Sequence, residues 1–191
     1  LPLSTNLADY HFKKKWLSIF SKNMAEEAKV PPLKKVVNPA NFTIHRLEDI
    51  GFENFEFPFT EPHADRTTLK SYGSNRDFPA VPGTSRVSMH LRFGAVSVRE
   101  LVRKALEAGS EPWLSELIWR EFYMMILWHF PHVTTRSFKP QYDNIRWRND
   151  ADEFERWCNG TTGYPIVDAG MRELNTTGFM HNRVRMIVAS F

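Results

Sequence analysis

Residues 113–123 place large aromatic side chains beside charged ones at intervals of three or four residues. A helix would bring Glu116 and Arg120 to one face, because helical neighbours recur at this spacing. The aromatic residues of that face are Trp113, Trp119 and Tyr123. A face that only packs against a core normally carries Leu, Ile and Val. The pattern therefore favours a binding surface for an aromatic ligand.

Two interpretations of the charged pair stay open. Glu116 and Arg120 could form an exposed ion pair worth about 0.3–0.5 kcal/mol, with the tryptophans filling a core. The opposite helix face favours the binding interpretation, because it already carries apolar packing residues, namely Leu117, Met124, Met125 and Leu127. With both faces covered, the carboxylate would be partly desolvated and would need a hydrogen-bonding role.

Two further segments carry groups that bind anions. Residues 83–88 offer hydroxyls and backbone amides ahead of a helical stretch, where they would hold a phosphate or simply cap the helix. Residues 181–186 place Arg183 and Arg185 on a short apolar helix, which indicates either anion binding or structural ion pairs. Basic and aromatic residues also alternate over 136–148, which suits either phosphate contact beside stacking or a solvated loop with buried rings.

The composition is that of a globular protein, with 42% hydrophobic, 14% aromatic and 25% charged residues. The net charge of +3 is mildly basic and permits binding to a polyanion. Cys158 is the only cysteine, which excludes an internal disulfide and a cysteine-rich metal site. No cluster has metal-ligand spacing, so we expect no metal. No apolar run approaches the ~18 residues of a membrane span, so we expect a soluble, cytoplasmic protein.

Helical signals dominate the chain. A basic amphipathic helix is predicted over residues 9–20, and five prolines within residues 30–63 predict an extended connector. Further helices are predicted over 98–108, 112–128, 154–158, 165–175 and 180–191, with Ser97 and Asp150 as caps and Gly109 and Gly160 as stops. No alternating strand pattern occurs from about residue 66 onward, so the predicted fold class is all-α.

Several of these motifs form a series along the chain. They are Tyr72, residues 76–79, residues 84–88, residues 113–123, Trp147, residues 162–168 and residues 180–186. In order and spacing the series resembles the flavin-binding domain of the DNA photolyase and cryptochrome family, closest to class I cyclobutane pyrimidine dimer (deoxyribodipyrimidine) photolyases. The resemblance implies a helical FAD-binding domain, damaged DNA as the partner, and light-driven splitting of the dimer by an electron from excited reduced FAD.

The resemblance also implies roles for individual residues. The FAD-binding residues would be Tyr72, Thr84, Ser85, Arg86, Val87, Ser88, Trp113, Arg120 and Asn182. The catalytic residues would be Glu116, Trp119, Asn182, Arg183 and Met186, with Trp147 as the outermost member of an electron relay. The DNA-binding residues would be Arg76, Glu116, Trp119, Asn182 and Arg183. Glu116 would hydrogen-bond the dimer bases.

The chain departs from the family pattern at both ends and at one internal position. The family begins with an antenna-binding α/β domain and continues beyond Phe191, so residues 1–65 are predicted as linker and basic helix and residues 66–191 as the N-terminal part of a truncated FAD-binding domain. Phe179 stands where the family usually has Trp. We therefore expect weak or absent FAD binding, an inactive fragment, and self-association through apolar surface at 188–191.

Two alternatives remain for the function. One is a cryptochrome-type light-sensing flavoprotein without repair activity, and the other is a helical DNA-binding remnant without flavin. Glu116, Trp119 and Met186 together favour repair, because plant cryptochromes tend to change these positions. The sequence does not identify the antenna pigment of the parent protein.

Overall fold

The structure is a computed structural model that describes residues 4–21, 45–53 and 61–191, with side chains from residue 10 onward. Within these ranges the chain is helical and contains no strand. The α-helices are α1 (Ser4–Phe20), α2 (Arg66–Asn75), α3 (Ser88–Arg92), α4 (Val98–Ala108), α5 (Glu111–His129), α6 (Ala151–Asn159), α7 (Pro165–Thr177) and α8 (Asn182–Val188). Short 3-10 helices cover Glu48–Ile50, Pro131–Thr134 and Pro140–Asn144. The predicted all-α class is confirmed.

Capping residues determine where two of the helices begin and end. The hydroxyl of Ser97 accepts a hydrogen bond from the backbone N–H of Glu100 at the start of α4, and Gly109 ends that helix with a φ of 64°. Asp150 and Gly160 act in the same way on α6. A short polar side chain satisfies free N–H groups, and glycine adopts a positive φ without strain, so both helices have the predicted stops.

Helices α1, α2, α4 and α5 share one hydrophobic core, named the first core. Its buried residues are Leu69, Val87, Leu101, Val102, Ala105, Ala108, Trp113, Leu114, Leu117 and Ile118. Leu69 and Leu101 are fully buried, and complete burial of a leucine side chain contributes about 1.5–3 kcal/mol. Helix α1 joins this core through Phe12, whose ring centroid lies 5.2 Å from that of Phe122 on α5.

Helices α6, α7 and α8 enclose a smaller second core. Its buried residues are Val167, Met171, Met180, Val184 and Val188. Gly170 lets α7 approach α8 closely, because a Cβ at this position would lie 2.6 Å from Cγ1 of Val184. The indole N–H of Trp157 on α6 donates to the backbone oxygen of Val188 at 3.0 Å. Close backbone approach and this hydrogen bond together fix the three helices.

A buried carboxylate holds the turn between α6 and α7. Asp168 accepts hydrogen bonds from the backbone N–H of Thr162 at 2.8 Å, from the Thr162 hydroxyl at 2.6 Å and from the N–H of Gly163 at 3.0 Å. These hydrogen bonds, led by the one from the Thr162 side chain, lower the pKa of Asp168 below its ordinary value. The motif at 162–168 therefore shapes the entry into α7.

Two expectations about the last helix are wrong. Helix α8 covers Asn182–Val188 rather than 180–191, because His181 caps it by accepting the N–H of Arg183 on Nδ1 at 3.2 Å. Val188 is only 3% exposed, since it packs in the second core, so the apolar surface expected at 188–191 does not include it. Phe191 is 58% exposed and contacts Tyr164, with 4.9 Å between ring centroids. Self-association stays a prediction.

The second half of α5 also differs from the expectation that both of its faces are covered. The buried residues of this helix end at Ile118. Beyond that point Met124 is 51% and Leu127 is 49% exposed, although both were expected to pack against other helices. The buried residues of α5 therefore lie in its first half, where Trp113 and Leu117 enter the first core.

Most of the proline-rich connector at 30–63 lies outside the described residues. Helix α1 begins at Ser4, earlier than expected, and its Lys13 forms a 2.7 Å ion pair with Glu111 on α5. The division of the chain at residue 65 stays a prediction. Among the described helices, none has both the length and the apolar character needed to cross a membrane.

Candidate functional site

The larger of two adjoining cavities lies between the first and second cores and has a volume of about 780 Å³. Its walls come from α2, α3, α5 and α8 and from the segments that precede α3 and α8. The cofactor-binding residues predicted from the sequence all line it, namely Tyr72, Thr84, Ser85, Arg86, Val87, Ser88, Trp113, Arg120 and Asn182. This volume falls within the range of small-molecule and cofactor sites.

Three features position the loop at residues 83–88 against this cavity. A Cβ at Gly83 would lie 2.4 Å from Cβ of Asn75, so only glycine lets the loop pass the end of α2. The indole N–H of Trp113 donates to the Ser85 hydroxyl at 3.1 Å, and both side chains are buried. Arg86 has a φ of 51°, a left-handed conformation that is uncommon outside glycine and is found at binding sites. The loop is therefore held rigidly by contacts to two helices.

The charge of the larger cavity is predominantly positive. Among the described residues, its lining includes the arginines Arg86, Arg92, Arg120 and Arg185 and one carboxylate, that of Glu116. Planar guanidinium groups bind phosphate oxygens through paired hydrogen bonds. With the hydroxyls of residues 84, 85 and 88 in the same lining, the cavity suits a ligand that combines phosphate groups with an aromatic body.

A second cavity of about 350 Å³ adjoins the first. It is lined by Arg76, Asp77, Glu116, Trp119, Tyr123, Asn182 and Arg183. Glu116 and Asn182 occur in both linings, so these two side chains stand at the boundary between the cavities. The rings of Trp119 and Tyr123 are stacked, with 5.8 Å between centroids and 22° between planes. Their aromatic surface can receive a planar ligand.

The partner of Glu116 differs from the sequence-based interpretation. Its carboxylate accepts a hydrogen bond from Nη1 of Arg76 at 2.5 Å, and the expected pairing with Arg120 does not occur. The guanidinium of Arg76 also lies 5.7 Å from the ring centroid of Tyr72. Burial, followed by the negative charge of Glu116, raises the pKa of Tyr72 to about 12. The Tyr72 hydroxyl stays protonated at neutral pH and interacts with the side chains of Glu116 and Arg76.

Asp77 is a site residue to which the sequence assigned no role. Its Oδ1 accepts hydrogen bonds from Nε of Arg183 at 2.8 Å and from Nη2 of the same residue at 2.6 Å. Nε of Arg76 lies 3.6 Å from this oxygen. A chain of alternating charges thus runs from α8 to α5 along the second cavity. The only sequence signal was the position of Asp77 directly after Arg76 in the motif at 76–79.

Two of the predicted site residues lie outside both cavities. Met186 is 58% exposed and lines neither of them, although its sulfur lies 3.5 Å from Nη1 of Arg183. Trp147 is 71% exposed on the segment before α6. Phe179, in contrast, lines the larger cavity, and the guanidinium of Arg86 lies 4.4 Å from its ring centroid.

The basic and aromatic residues between α5 and α6 are exposed and do not join either cavity. Phe138 is 50% and Tyr142 is 41% exposed, so the rings expected to anchor a loop are only partly covered. Arg148 forms an ion pair with Glu153 on α6. In the described ranges, no group of three or more His, Cys, Asp or Glu residues could hold a metal ion.

Residues 113–191 match the family described as the FAD binding domain of DNA photolyase. The chain is 47% identical over 135 residues to a deoxyribodipyrimidine photo-lyase of Vibrio cholerae, which covers 66% of this chain and 29% of that protein. It is 37% identical over 198 residues to the deoxyribodipyrimidine photo-lyase of Escherichia coli, covering 94% of this chain and 42% of that protein.

A solved structure shows the same family relationship. The crystal structure of a cryptochrome from Synechocystis matches 94% of this chain and 43% of its own, with a TM-score of 0.70 and 28% sequence identity. The chain therefore spans less than half the length of each of these relatives.

Proposed function

The chain belongs to the DNA photolyase and cryptochrome family, and we propose that it is part of a deoxyribodipyrimidine photo-lyase, a light-driven flavoenzyme that splits cyclobutane pyrimidine dimers in DNA. The observation that carries this proposal is the adjacency of two cavities with Glu116 and Asn182 at their boundary. A cofactor in the larger cavity and a damaged base in the smaller one would lie next to each other.

The larger cavity fits FAD by its chemistry. Its arginines and hydroxyls suit a diphosphate, while Trp113, Tyr72 and Phe179 offer aromatic surface. FAD in its reduced and light-excited form would supply the electron that opens the cyclobutane ring. The residues of the chain would bind the cofactor, keep water from its aromatic part and place it against the second cavity.

The second cavity fits a base that has left the DNA stack. A pyrimidine dimer is poorly stacked, so moving it out of the duplex costs less than moving an undamaged base. Trp119 and Tyr123 would stack on it, and Glu116 and Asn182 would hydrogen-bond its polar edge. Arg76 and Arg183, at the same cavity, add positive charge that attracts the DNA backbone.

FAD binding is the first test of this proposal. The purified chain is titrated with FAD and followed by flavin fluorescence, with Arg120→Ala as the variant and Arg103→Ala on α4 as the control. We expect weak binding that Arg120→Ala weakens further and Arg103→Ala leaves unchanged, because Arg120 lines the cavity and Arg103 does not. A chain that binds no flavin under any condition favours the helical DNA-binding remnant, and stoichiometric tight binding contradicts our expectation of weak affinity.

Repair activity is the second test. In a protein that contains the complete FAD-binding domain, illumination should reverse pyrimidine dimers in an oligonucleotide. Glu116→Gln should lower repair per absorbed photon more than it weakens binding of damaged DNA, because the carboxylate faces both cavities. An unchanged photon yield in this variant would remove Glu116 from the proposed mechanism.

A light-sensing function of the cryptochrome type is the second candidate. It is favoured by the similarity to the Synechocystis cryptochrome over 94% of the chain. The identity to that protein is 28%, against 37% to the Escherichia coli photo-lyase over the same share of the chain. Flavin binding with light-induced spectral changes but without dimer reversal would identify this second function.

A further inference from the structure

The described part of the chain contains two separate clusters of buried apolar residues, with the larger cavity between them. The first core holds α5 and the loop at 83–88, and the second core holds α8. The geometry of the cavity therefore depends on the contacts that connect the two cores. Hydrophobic burial stabilises each core internally, but it does not determine how wide the space between them is.

Two contacts that involve arginines connect the cores at the cavities. Beside the second cavity, Arg183 of α8 donates two hydrogen bonds to Oδ1 of Asp77, which follows α2. At the larger cavity, the guanidinium of Arg86 lies over the ring of Phe179, which follows α7. Each contact thus joins a residue of the first half of the chain to a residue near the start of α8.

Asp77 occupies the central place in this connection. Its Oδ1 lies 2.6 Å from Nη2 of Arg183 and 3.6 Å from Nε of Arg76, so one oxygen stands between two guanidinium groups. Arg76 in turn holds the carboxylate of Glu116 on α5. Removal of the Asp77 charge would leave the guanidinium groups of Arg76 and Arg183 without the anion between them. The ring contact at the larger cavity would then still connect the cores.

We propose that Asp77 is a positioning residue that holds the two cores at a fixed separation by binding Arg183, and so keeps Asn182 opposite Glu116 at the boundary of the cavities. Asp77 lines the second cavity, and in this role it acts through Arg183. The proposal rests on the proposed function only for the identity of the ligands, since the separation of the cores is a property of the chain alone.

Salt dependence distinguishes this role from ordinary packing. The Asp77 and Arg183 side chains are 52% and 39% exposed, so dissolved ions can screen their attraction. The ring contact of Arg86 and the apolar clusters respond much less to salt. High ionic strength should therefore loosen the separation of the cores while the helices within each core stay folded.

The test measures the distance between the cores without any ligand. In a Cys158→Ser background, spin labels are attached at Glu107→Cys on α4 and Glu155→Cys on α6, two exposed positions on helices of different cores. Pulsed electron resonance gives the distribution of label separations. Asp77→Asn is the variant, Asp77→Glu is the conservative rescue, and Glu100→Gln is the control, because it removes an exposed ion pair within α4 alone.

We expect a narrow distribution for the unmodified site, a broad one for Asp77→Asn, and a return toward the narrow one for Asp77→Glu. Glu100→Gln should have no effect, and high salt should broaden only the proteins that retain a carboxylate at position 77. An Asp77→Asn distribution as narrow as that of the unmodified protein, with the helical circular dichroism intact, overturns the proposal.

FAD titration of the same variants separates the two proposals. If the chain binds FAD, Asp77→Asn should weaken binding about 5-fold, the size typical of coupled residues, and Glu100→Gln should leave the affinity unchanged. If no variant binds FAD while the label distances respond as expected, the assignment of FAD to the larger cavity of this chain fails and the positioning role of Asp77 stands. If FAD binds equally to all variants and the distances do not respond, the positioning role fails and the proposed function stands.

Discussion

The first and second cores differ in how they are stabilised. In the first core, ten buried apolar residues from helices and a loop pack together, and two of them are fully buried. The second core has five, and it relies on a close approach of α7 to α8 at Gly170, on a buried carboxylate and on one indole hydrogen bond. Burial of apolar surface is non-directional and tolerates small shifts of the packed helices, whereas a close backbone approach and hydrogen bonds require accurate geometry.

This difference bears on the cavities that lie between the cores. Trp113, Ser85 and Glu116 belong to elements packed on the first core, which presents the larger part of the binding surface. Asn182 and Arg183 belong to α8, whose position depends on the smaller core and on contacts across the cavity. We therefore expect the first wall to keep its geometry when the contacts across the cavity are removed, and the second wall to depend on those contacts.

The largest effect is expected from a cavity in the first core. Leu101→Ala should lower the free energy of unfolding by about 2–5 kcal/mol, because it removes a fully buried side chain. Urea denaturation followed by circular dichroism measures the change, and Leu106→Ala on the same helix is the control, since Leu106 is 47% exposed. Equal losses from the two variants would contradict the assignment of this core.

A change at Gly170 addresses the second core. Gly170→Ala should destabilise it by about 1–3 kcal/mol through overpacking, because the added Cβ would lie 2.6 Å from Val184 and 2.9 Å from Val188. Hydrogen exchange should locate the loss in α7 and α8 and leave α4 protected. In the double variant with Val184→Ala, the loss should be smaller than the sum of the two single losses. Additive losses would show that the helices do not meet at this point.

The pH dependence of the second core follows from Asp168. Its pKa is lowered in the folded chain from the ordinary value of 3.8, so the stabilisation is complete above that pH and is lost as the pH falls further through the folded-state pKa. Hydrogen exchange of the 162–164 amides as a function of pH, corrected for intrinsic rates, measures this loss. The Asp168→Asn variant should lack this acid transition, and an identical transition in the variant would assign it to another group.

The smallest effect is expected from the indole hydrogen bond. Trp157→Phe removes the donor to the Val188 oxygen and should cost about 0.5–1.5 kcal/mol. Trp147→Phe is the matched control, because this side chain is 71% exposed, and its effect on the free energy of unfolding should be near zero. Thermal or urea unfolding distinguishes the two variants. A larger loss of stability in Trp147→Phe than in Trp157→Phe would contradict the role of Trp157 in fixing α6 to α8.

Local sequence rules predicted much of the fold. The caps at Ser97 and Asp150 and the stops at Gly109 and Gly160 lie where expected, because each depends on hydrogen bonds within one helical turn. The last helix was predicted too long, because its apolar pattern continues beyond the point where Val188 turns into the second core. The 3-10 helices after α5 were not predicted, because segments of four or five residues are too short to show a periodic pattern.

The candidate site was predictable in its members but not in its contacts. The motif series identified the residues that line the larger cavity, because the types of these residues and their order can be read directly from the sequence. The exposed second half of α5 was missed, because an apolar residue in a helical pattern does not reveal whether another element covers it. The bridging role of Asp77 was also missed, since its partner lies 106 residues away.

The sequence by itself determined most of the longer helices, the helix ends set by caps and glycines, the family of the chain and the set of side chains available for binding. The tertiary structure decided which of these side chains meet. Glu116 pairs with Arg76, 40 residues away, rather than with Arg120 one turn along the same helix. The reason is physical: helix capping and periodicity act over a few residues, whereas an ion pair forms wherever the packing of helices brings opposite charges within a few ångströms.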